Sequence, residues 1–274
     1  MSAKPFMKAA GGKTKLLPEI LKRLPAFKGL YHEPFVGGGA VFFELAERRR
    51  AAGGSTKGWV LNDLNKELLN AYVAVRDECE ALVSKLGAIK HSEPTYYAAR
   101  AKEETTSLLR ATRFLYLNKT CFNGLYRVNS SGKFNVPIGD YKNPTIVEPE
   151  NLRACARVLE GVALLDEDFD LRIAAAKSGD FVYADPPYLP RSKTADFTGY
   201  TALKFGLKDH ERLAASLASA SKRGAKFLCS QGDSPTIRSL FKEFTIDAVS
   251  VQHSVGAKKS SRMKVDEVLI GNSA

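Results

Sequence analysis

The chain has 274 residues, 44% of them hydrophobic, with 41 Lys and Arg against 30 Asp and Glu and a formal charge of +11. That length and apolar content suit one large α/β domain, or one with an insertion, and exclude wholesale disorder. No apolar run approaches a membrane span, the N-terminal stretch lacks the apolar core of a signal peptide, and Cys79, Cys121, Cys155 and Cys229 show neither disulfide-framework nor zinc spacing. His32, His91, His210 and His253 form no ligand cluster either. A cytoplasmic, metal-free protein with no obligate protein partner is therefore expected. The pI near 9.4 favours a polyanionic partner, nucleic acid ahead of a membrane surface. The charge is uneven: residues 4–28 carry seven Lys/Arg against one acid, residues 110–142 six against one, and residues 253–264 four against none.

Taken in order, Gly11-Gly12-Lys13 resembles the end of a phosphate-binding loop but lacks the upstream glycine of a Walker motif, so an ATP site is not supported. Leu16–Leu24 is amphipathic, with Pro18 suited to the first turn of a helix. A predicted strand, Leu30–Glu33, runs into Pro34-Phe35-Val36-Gly37-Gly38-Gly39-Ala40 and a helix beginning near Val41. Such a strand, glycine turn and helix let a ligand approach bare backbone at a helix N-terminus. The pattern is not GxGxxG, because Phe42 stands where the third glycine would be. A second strand, Trp59–Leu61, ends at Asp63, which is placed either to bind ribose hydroxyls or to cap the helix Lys66–Val75. Turn and acid together predict an adenosine-type ligand.

Residues 66–122 lack strand alternation and read as helical, through Leu68, Leu69, Tyr72, Val73 and Val75 to Phe114–Leu117. Leu125–Val128 and Lys133–Val136 flank Asn129-Ser130-Ser131-Gly132 and predict a hairpin. This basic, aromatic, Asn-rich stretch interrupts an α/β alternation and suggests an inserted recognition module. The expected division is a catalytic domain over 1–65 and 150–274, and a target-recognition domain over 66–149. Val162–Leu165 is a predicted strand leading to Asp168 and Phe169, which can accept from an adenine amine and stack on its ring, or form an ordinary acidic loop. Further strands are predicted at Phe181–Ala184, Ala225–Ser230, Phe244–Val251 and Val265–Ile270, with a helix across Leu203–Arg223. Ala195–Tyr200 is a polar-aromatic loop.

The most informative stretch is Asp185-Pro186-Pro187-Tyr188, which follows the apolar run Phe181–Ala184. Two prolines have no N–H, so the loop offers only acceptors: the Asp185 carboxylate and fixed carbonyls, beside the aromatic plate of Tyr188. That set suits a nucleobase with an exocyclic amine. Its nitrogen lone pair is delocalised into the ring. Two acceptors that take both N–H bonds draw it toward tetrahedral geometry and aim the lone pair at an electrophile.

With these residues assembled, the chain resembles the DNA adenine methylase (Dam) family of S-adenosylmethionine-dependent adenine methyltransferases, of the D12 class with alpha-group motif order. The resemblance rests on Lys8–Lys13, Glu33–Gly39, Leu61–Asp63, Tyr116–Asn118, Phe122–Leu125, Phe134–Pro137, Asp185–Tyr188, Phe197–Tyr200 and Lys264–Glu267, in that family's order over nearly the whole length. It implies a Rossmann-like methyltransferase sheet, mostly parallel with an antiparallel last strand, plus a helical and hairpin target-recognition domain. It implies double-stranded DNA as partner, GATC as target and a flipped-out adenine. Asp185, Pro186 and Tyr188 become catalytic. Lys13, Glu33, Phe35, Gly37, Gly39, Asp63, Asp168, Phe169 and Asp185 are assigned to the methyl donor. Lys8, Lys119, Phe122, Asn123, Leu125, Arg127, Asn135 and Pro137 are assigned to DNA. The chain departs from the family pattern at Ala9, where many members carry Trp, and at Phe122, where Tyr is common.

Three other readings compete. The same chemistry on RNA or a protein glutamine fits the loop, but the hairpin and charge favour duplex DNA. An NAD-dependent oxidoreductase fits the strand–glycine–acid pattern but lacks the third glycine and a hydride-transfer acid. A DNA-binding module on an inactive fold is disfavoured, because every expected catalytic position holds a competent residue.

Overall fold

A computed structural model describes residues 1–9, 11–189, 205–252 and 264–272. Its strands are Tyr31–Glu33 (β1), Val60–Asn62 (β2), Ala163–Leu165 (β3), Phe181–Ala184 (β4), Lys226–Gly232 (β5), Thr245–Gln252 (β6) and Lys264–Gly271 (β7). They form one sheet in the order β3-β2-β1-β4-β5-β7-β6, the Rossmann-like arrangement that the resemblance implies. The helices are Leu17–Lys22 (α1), Ala40–Ala51 (α2), Lys66–Asp77 (α3), Cys79–Gly87 (α4), Glu93–Ala101 (α5), Ser107–Thr120 (α6), Pro149–Leu159 (α7), Phe169–Ala174 (α8), Leu207–Lys222 (α9) and Pro235–Leu240 (α10). The predicted loop Ala195–Tyr200 and most of the basic stretch 253–264 lie outside the described residues. No helix among the described residues is long and apolar enough to cross a membrane. The described residues fall into two compact units, one built from 1–13 and 36–166, the other from 14–35 and 167 onward.

In the first unit β2 and β3 are parallel, with Leu61 opposite Leu164, and α3 packs on α6 and α7. Polar residues start these helices as sequence chemistry requires. Asn65 accepts from the N–H groups of Glu67 and Leu68 at the head of α3, while Ser92 and Thr106 cap α5 and α6. Residues 3–8 are sewn to distant helices. Ala3 N–H donates to Glu47 at 2.8 Å, Lys4 N–H to Asn151 at 3.0 Å, and Lys8 N–H to Asn118 at 2.8 Å. The segment 66–149, expected to be a recognition domain, lies wholly in this unit. Its expected hairpin is present in short form: Val128 pairs antiparallel with Phe134, and the N–H groups of Asn129 and Asn135 donate to the carbonyls of Lys133 and Arg127 at 2.9 and 3.0 Å. Asn129 Oδ1 closes the turn by taking the N–H groups of Ser131 and Lys133 at 3.0 and 2.9 Å. Pro137 has no N–H to contribute, and its carbonyl accepts from Phe122 at 3.0 Å.

In the second unit β1, β4 and β5 are parallel, and β7 runs antiparallel to both β5 and β6. All four residues of β4 are buried, which is why this strand reads as an unbroken apolar run rather than an alternating one. Ile173 of α8 and Leu213 and Leu217 of α9 join Val182, Phe227 and Ile270 in one core. The short strand β1 carries the polar side chains of His32 and Glu33 inward, and each has a partner for one of its polar atoms. His32 Nε2 meets Asp180 at 3.2 Å, Asp180 also accepts from the N–H groups of Leu30 and Lys177, and Glu33 accepts from the Tyr31 hydroxyl at 2.7 Å.

Burial lowers the pKa of His32 below the ordinary 6.5, against the opposing pull of Asp180. As pH falls below 6.5 the unfolded chain binds a proton on this ring that the folded chain refuses, so stability drops; above 6.5 the effect vanishes. Urea unfolding at about pH 7.5 and about pH 5.5 should show this loss in the wild type and a shallower one in His32→Gln. Equal slopes in the two proteins would remove His32 from the pH response.

Candidate active site

The loop Asp185–Tyr188 leaves the buried end of β4 and is pinned on both sides. Before it, the Tyr183 hydroxyl shares a 2.7 Å hydrogen bond with Ser230 of β5. After it, the Tyr188 hydroxyl donates to Glu267 of β7 at 2.7 Å, and its ring lies against Gly232, where an added Cβ would stand 3.4 Å away. Burial pushes both phenols well above their usual pKa, and the adjacent Asp185 carboxylate pushes further in the same direction. Both therefore stay protonated at any working pH. Tyr183 also lies beside Glu33, so the unit gathers Glu33 and Asp185 around one phenol. Pro186 is buried and Asp185 half-buried.

The remaining predicted residues of this unit form an aromatic cluster. Phe35 and Phe169 have ring centroids 5.3 Å apart, and Phe205 is 5.7 Å from each. The Arg212 guanidinium lies over the Phe169 ring at 4.9 Å and donates to Asp168 at 2.9 Å. Asp168 is also the N-cap of α8, accepting from the Asp170 N–H.

In the first unit the glycine turn and Asp63 meet directly. Gly37 has φ +46° and donates its N–H to Asp63 Oδ2 at 3.0 Å; Asp63 Oδ1 accepts from Asn65 at 2.9 Å. Asp63 is therefore not the cap of α3, a task that falls to Asn65. Enclosure by the turn raises the Asp63 pKa, and the N–H donors of Asn65 and Gly37 oppose the rise. Tyr72 of α3 supports the turn from beneath, its hydroxyl donating to the Gly37 carbonyl at 3.1 Å. Gly39 caps α2 with left-handed backbone. Ala9, where Trp is common in the resembling family, sits close to the turn: a Cβ on Gly38 would come within 2.9 Å of its side chain. Lys13 is buried, with Nζ donating to the Gly11 carbonyl at 2.9 Å.

The predicted DNA-contacting residues are also in this unit, organised by Asn118 at the end of α6. Its Oδ1 accepts from Lys8 N–H, and its Nδ2 donates to the carbonyls of Lys8 at 2.8 Å and Gly124 at 3.3 Å. Only glycine fits at 124, since a Cβ there would stand 2.3 Å from Lys8. Lys8 Nζ turns to the Lys119 carbonyl at 2.7 Å and lies over the Tyr141 ring at 3.8 Å. Lys119 pairs with Glu148 at 2.9 Å. Beyond this base the chain projects side chains outward: Phe122 is 50% exposed, and Asn123 has φ +53°. Arg127 and Pro137 are exposed, Leu125 and Asn135 half-buried, and Arg127 Nε donates to Asn135 at 2.8 Å.

Sequence reasoning gave Tyr72, Tyr183, Ser230 and Glu267 no part in the site. The available signal was that Glu267 closes Lys264–Glu267, one of the stretches on which the resemblance rests. Among the described residues, no group of three or more His, Cys, Asp or Glu side chains is placed to hold a metal ion. If Tyr188 and Glu267 act as one unit, Tyr188→Phe and Glu267→Gln should each destabilise by about 1–3 kcal/mol, and the double variant by much less than their sum. Denaturant titration of all three variants checks this, and additive losses would uncouple the pair.

A family model for D12 class N6 adenine-specific DNA methyltransferases matches residues 10–255. The chain is 37% identical over 282 residues to the Type II methyltransferase M1.LlaDCHI of Lactococcus lactis subsp. cremoris, covering 99% of this chain and 96% of that protein. It is 36% identical to the Type II methyltransferase M.MjaIII of Methanocaldococcus jannaschii, over 99% of this chain and 100% of that protein. It is 34% identical to the DNA adenine methylase of Haemophilus influenzae, over 97% and 92% respectively. Matches of this extent exclude the oxidoreductase reading, and the chain belongs to the D12 class of N6 adenine-specific DNA methyltransferases.

Proposed function

We propose that this DNA adenine methyltransferase moves the methyl group of S-adenosylmethionine to the 6-amino group of an adenine turned out of duplex DNA, within GATC. The observation that carries the reading is the loop Asp185–Tyr188, whose two prolines present carbonyls without N–H groups, fixed through Tyr183 to Ser230 and through Tyr188 to Glu267. A stacked base cannot reach such a loop, so it must be extruded at a cost of a few kcal/mol. Phosphate contacts from the basic segments offset that cost and make binding steeply salt-dependent.

The residues of the glycine turn fit the donor. A side chain at Gly37 would enter open space, so a ligand can approach the backbone there. Each Asp63 oxygen already takes one N–H and keeps a second lone pair for a ribose hydroxyl. Glu33, Phe35, Gly39 and Lys13 complete the proposed donor set, with Asp168 and Phe169 toward the adenine. For Phe169 to offer the face that Arg212 covers, the guanidinium must swing aside. When bound, the donor supplies a methyl group already activated on a sulfonium. The chain's own task is positional and electrostatic: Asp185 and the Pro186 carbonyl take the two amine hydrogens, and Tyr188 backs the base.

Target reading is proposed for the segment 66–149 together with Lys8. Phe122 is exposed enough to wedge into the duplex, and Asn123, Leu125, Asn135 and Pro137 flank it. Lys119, tied to Glu148, supports this arm. Arg127 is exposed, and its contacts to Asn135 leave guanidinium donors for the two major-groove acceptors of guanine.

Asp185→Ala should keep donor affinity while single-turnover methylation falls below about a tenth of wild type; Asp63→Ala should do the reverse, weakening the donor without changing the sequence methylated. Calorimetry with the donor and labelled-methyl transfer to duplex DNA separate the two. Substantial turnover in Asp185→Ala would sink the loop assignment, and unchanged donor affinity in Asp63→Ala would sink that of the turn.

Arg127→Ala should slow methylation of GATC while raising relative methylation of sites altered at one G·C pair. The lost discrimination should be about 1–3 kcal/mol at that pair. Single-turnover rates on GATC and each singly substituted site, at two salt concentrations, make the test. A uniform slowing with a flatter salt slope would make Arg127 a phosphate anchor instead.

A further inference from the structure

Helix α9 buries the stripe His210, Leu213, Ala214, Leu217 and Ala220, so an imidazole stands where the pattern calls for another apolar residue. His210 is fully buried, and Gln231, near the end of β5, is fully buried as well. Side chains of this kind cost stability in a core unless hydrogen bonds satisfy them. The imidazole makes one such bond: Nδ1 lies 2.9 Å from the Gly206 carbonyl, which can only accept, so Nδ1 carries the hydrogen. Burial lowers the His210 pKa and keeps the ring neutral, leaving a lone pair on Nε2. That atom and Gln231 Oε1 are both buried without a hydrogen-bond partner among the described residues. The groups acting on the ring, besides Gly206 and Asp209, are the Gln231 side chain and the Pro187 carbonyl.

A carbonyl cannot satisfy a lone pair, so the donor must be Gln231. Turning its amide over exchanges oxygen for nitrogen, and the hydrogen-bond partners decide which orientation holds. The amide then gives one hydrogen to His210 Nε2 and keeps a second, and the Pro187 carbonyl, which faces the same ring, is the acceptor offered to it. The exchange gives up a weak contact from the amide to Cys229 Sγ at 3.9 Å. Pro187 belongs to the loop whose own prolines provide no N–H. The ring edge of His210 also meets Phe205 at 4.8 Å, and Phe205 packs on Phe35 and Phe169.

We propose that His210 and Gln231 form a buried relay that holds the Pro187 carbonyl, and are positioning residues for methyl transfer. They touch neither base nor donor. They act by fixing the height of the Asp185–Tyr188 loop, and the proposal rests on the reading that Asp185 grips the target amine.

The test measures single-turnover methylation, KM for duplex DNA and donor, and thermal midpoint in His210→Ala, His210→Gln, Gln231→Met and the double variant His210→Ala/Gln231→Met. A displacement of about 1 Å at a reacting group can cost about a hundredfold in rate. His210→Ala and Gln231→Met should therefore each slow the chemical step at least about tenfold, with both KM values within about twofold of wild type. The double variant should be no slower than the worse single one, and His210→Gln, whose amide can both donate and accept, should recover most of the rate. If His210→Ala does not fold, Gln231→Met and His210→Gln decide the matter by the same criteria. A wild-type chemical rate in folded Gln231→Met, or losses that multiply in the double variant, would overturn the relay. Asp185→Ala is run alongside. If it stays active, the loop reading fails; if it is dead while Gln231→Met is unimpaired, only the relay fails.

Discussion

Two consecutive prolines remove two N–H groups from the backbone, and with them the usual means of attaching a loop to a sheet. Asp185–Tyr188 is therefore held by side chains. Tyr183 anchors its root to Ser230 and Tyr188 its far end to Glu267, both at 2.7 Å. Phenols suit this work because each has a large buried ring and a single directional hydroxyl at a fixed reach. Burial and the nearby Asp185 keep both hydroxyls protonated, so the bonds persist across the working pH range. In the role proposed for it, a loop fixed in advance need not reorganise its acceptors during the reaction, which is the advantage of electrostatic preorganisation.

The glycine turn follows a related plan with the polarity reversed. Its backbone offers N–H donors, and a carboxylate is the brace. Asp63 joins Gly37 to the start of α3, Asn65 caps that helix, and Tyr72 of the same helix returns to the Gly37 carbonyl. Turn and helix thus share a closed circuit of hydrogen bonds through Asp63, Asn65 and Tyr72. Dividing the roles between Asp63 and Asn65 leaves the acid available to a ligand, since the helix does not need it.

Much of this was legible in the chain. The strand Phe181–Ala184 matches its predicted bounds because a doubly covered central strand writes itself as an apolar run ended by prolines. The positions of Asp63 and Asp185 were legible because each comes just after a predicted strand. The hairpin at 125–136 was legible from its Asn-Ser-Ser-Gly turn, but it is shorter than its flanking runs suggest, pairing only around Val128 and Phe134. The roles of Ser230 and Glu267 were not legible. They lie 47 and 79 residues from the tyrosines they hold, and no local pattern encodes a partner at that distance.

The stitching of residues 3–8 has a consequence for the order in which this unit can close. Lys8 and Asn118 lie 110 residues apart and Lys4 and Asn151 lie 147 apart, so neither bond is available until α6 and α7 have brought their asparagines into place. Gly124 is shaped around Lys8 and shares Asn118 with it. The arm that carries Phe122 and Arg127 therefore takes its final form only when a distant stretch of chain docks beneath it, a long-range closure with the loop entropy and slow kinetics that such contacts bring.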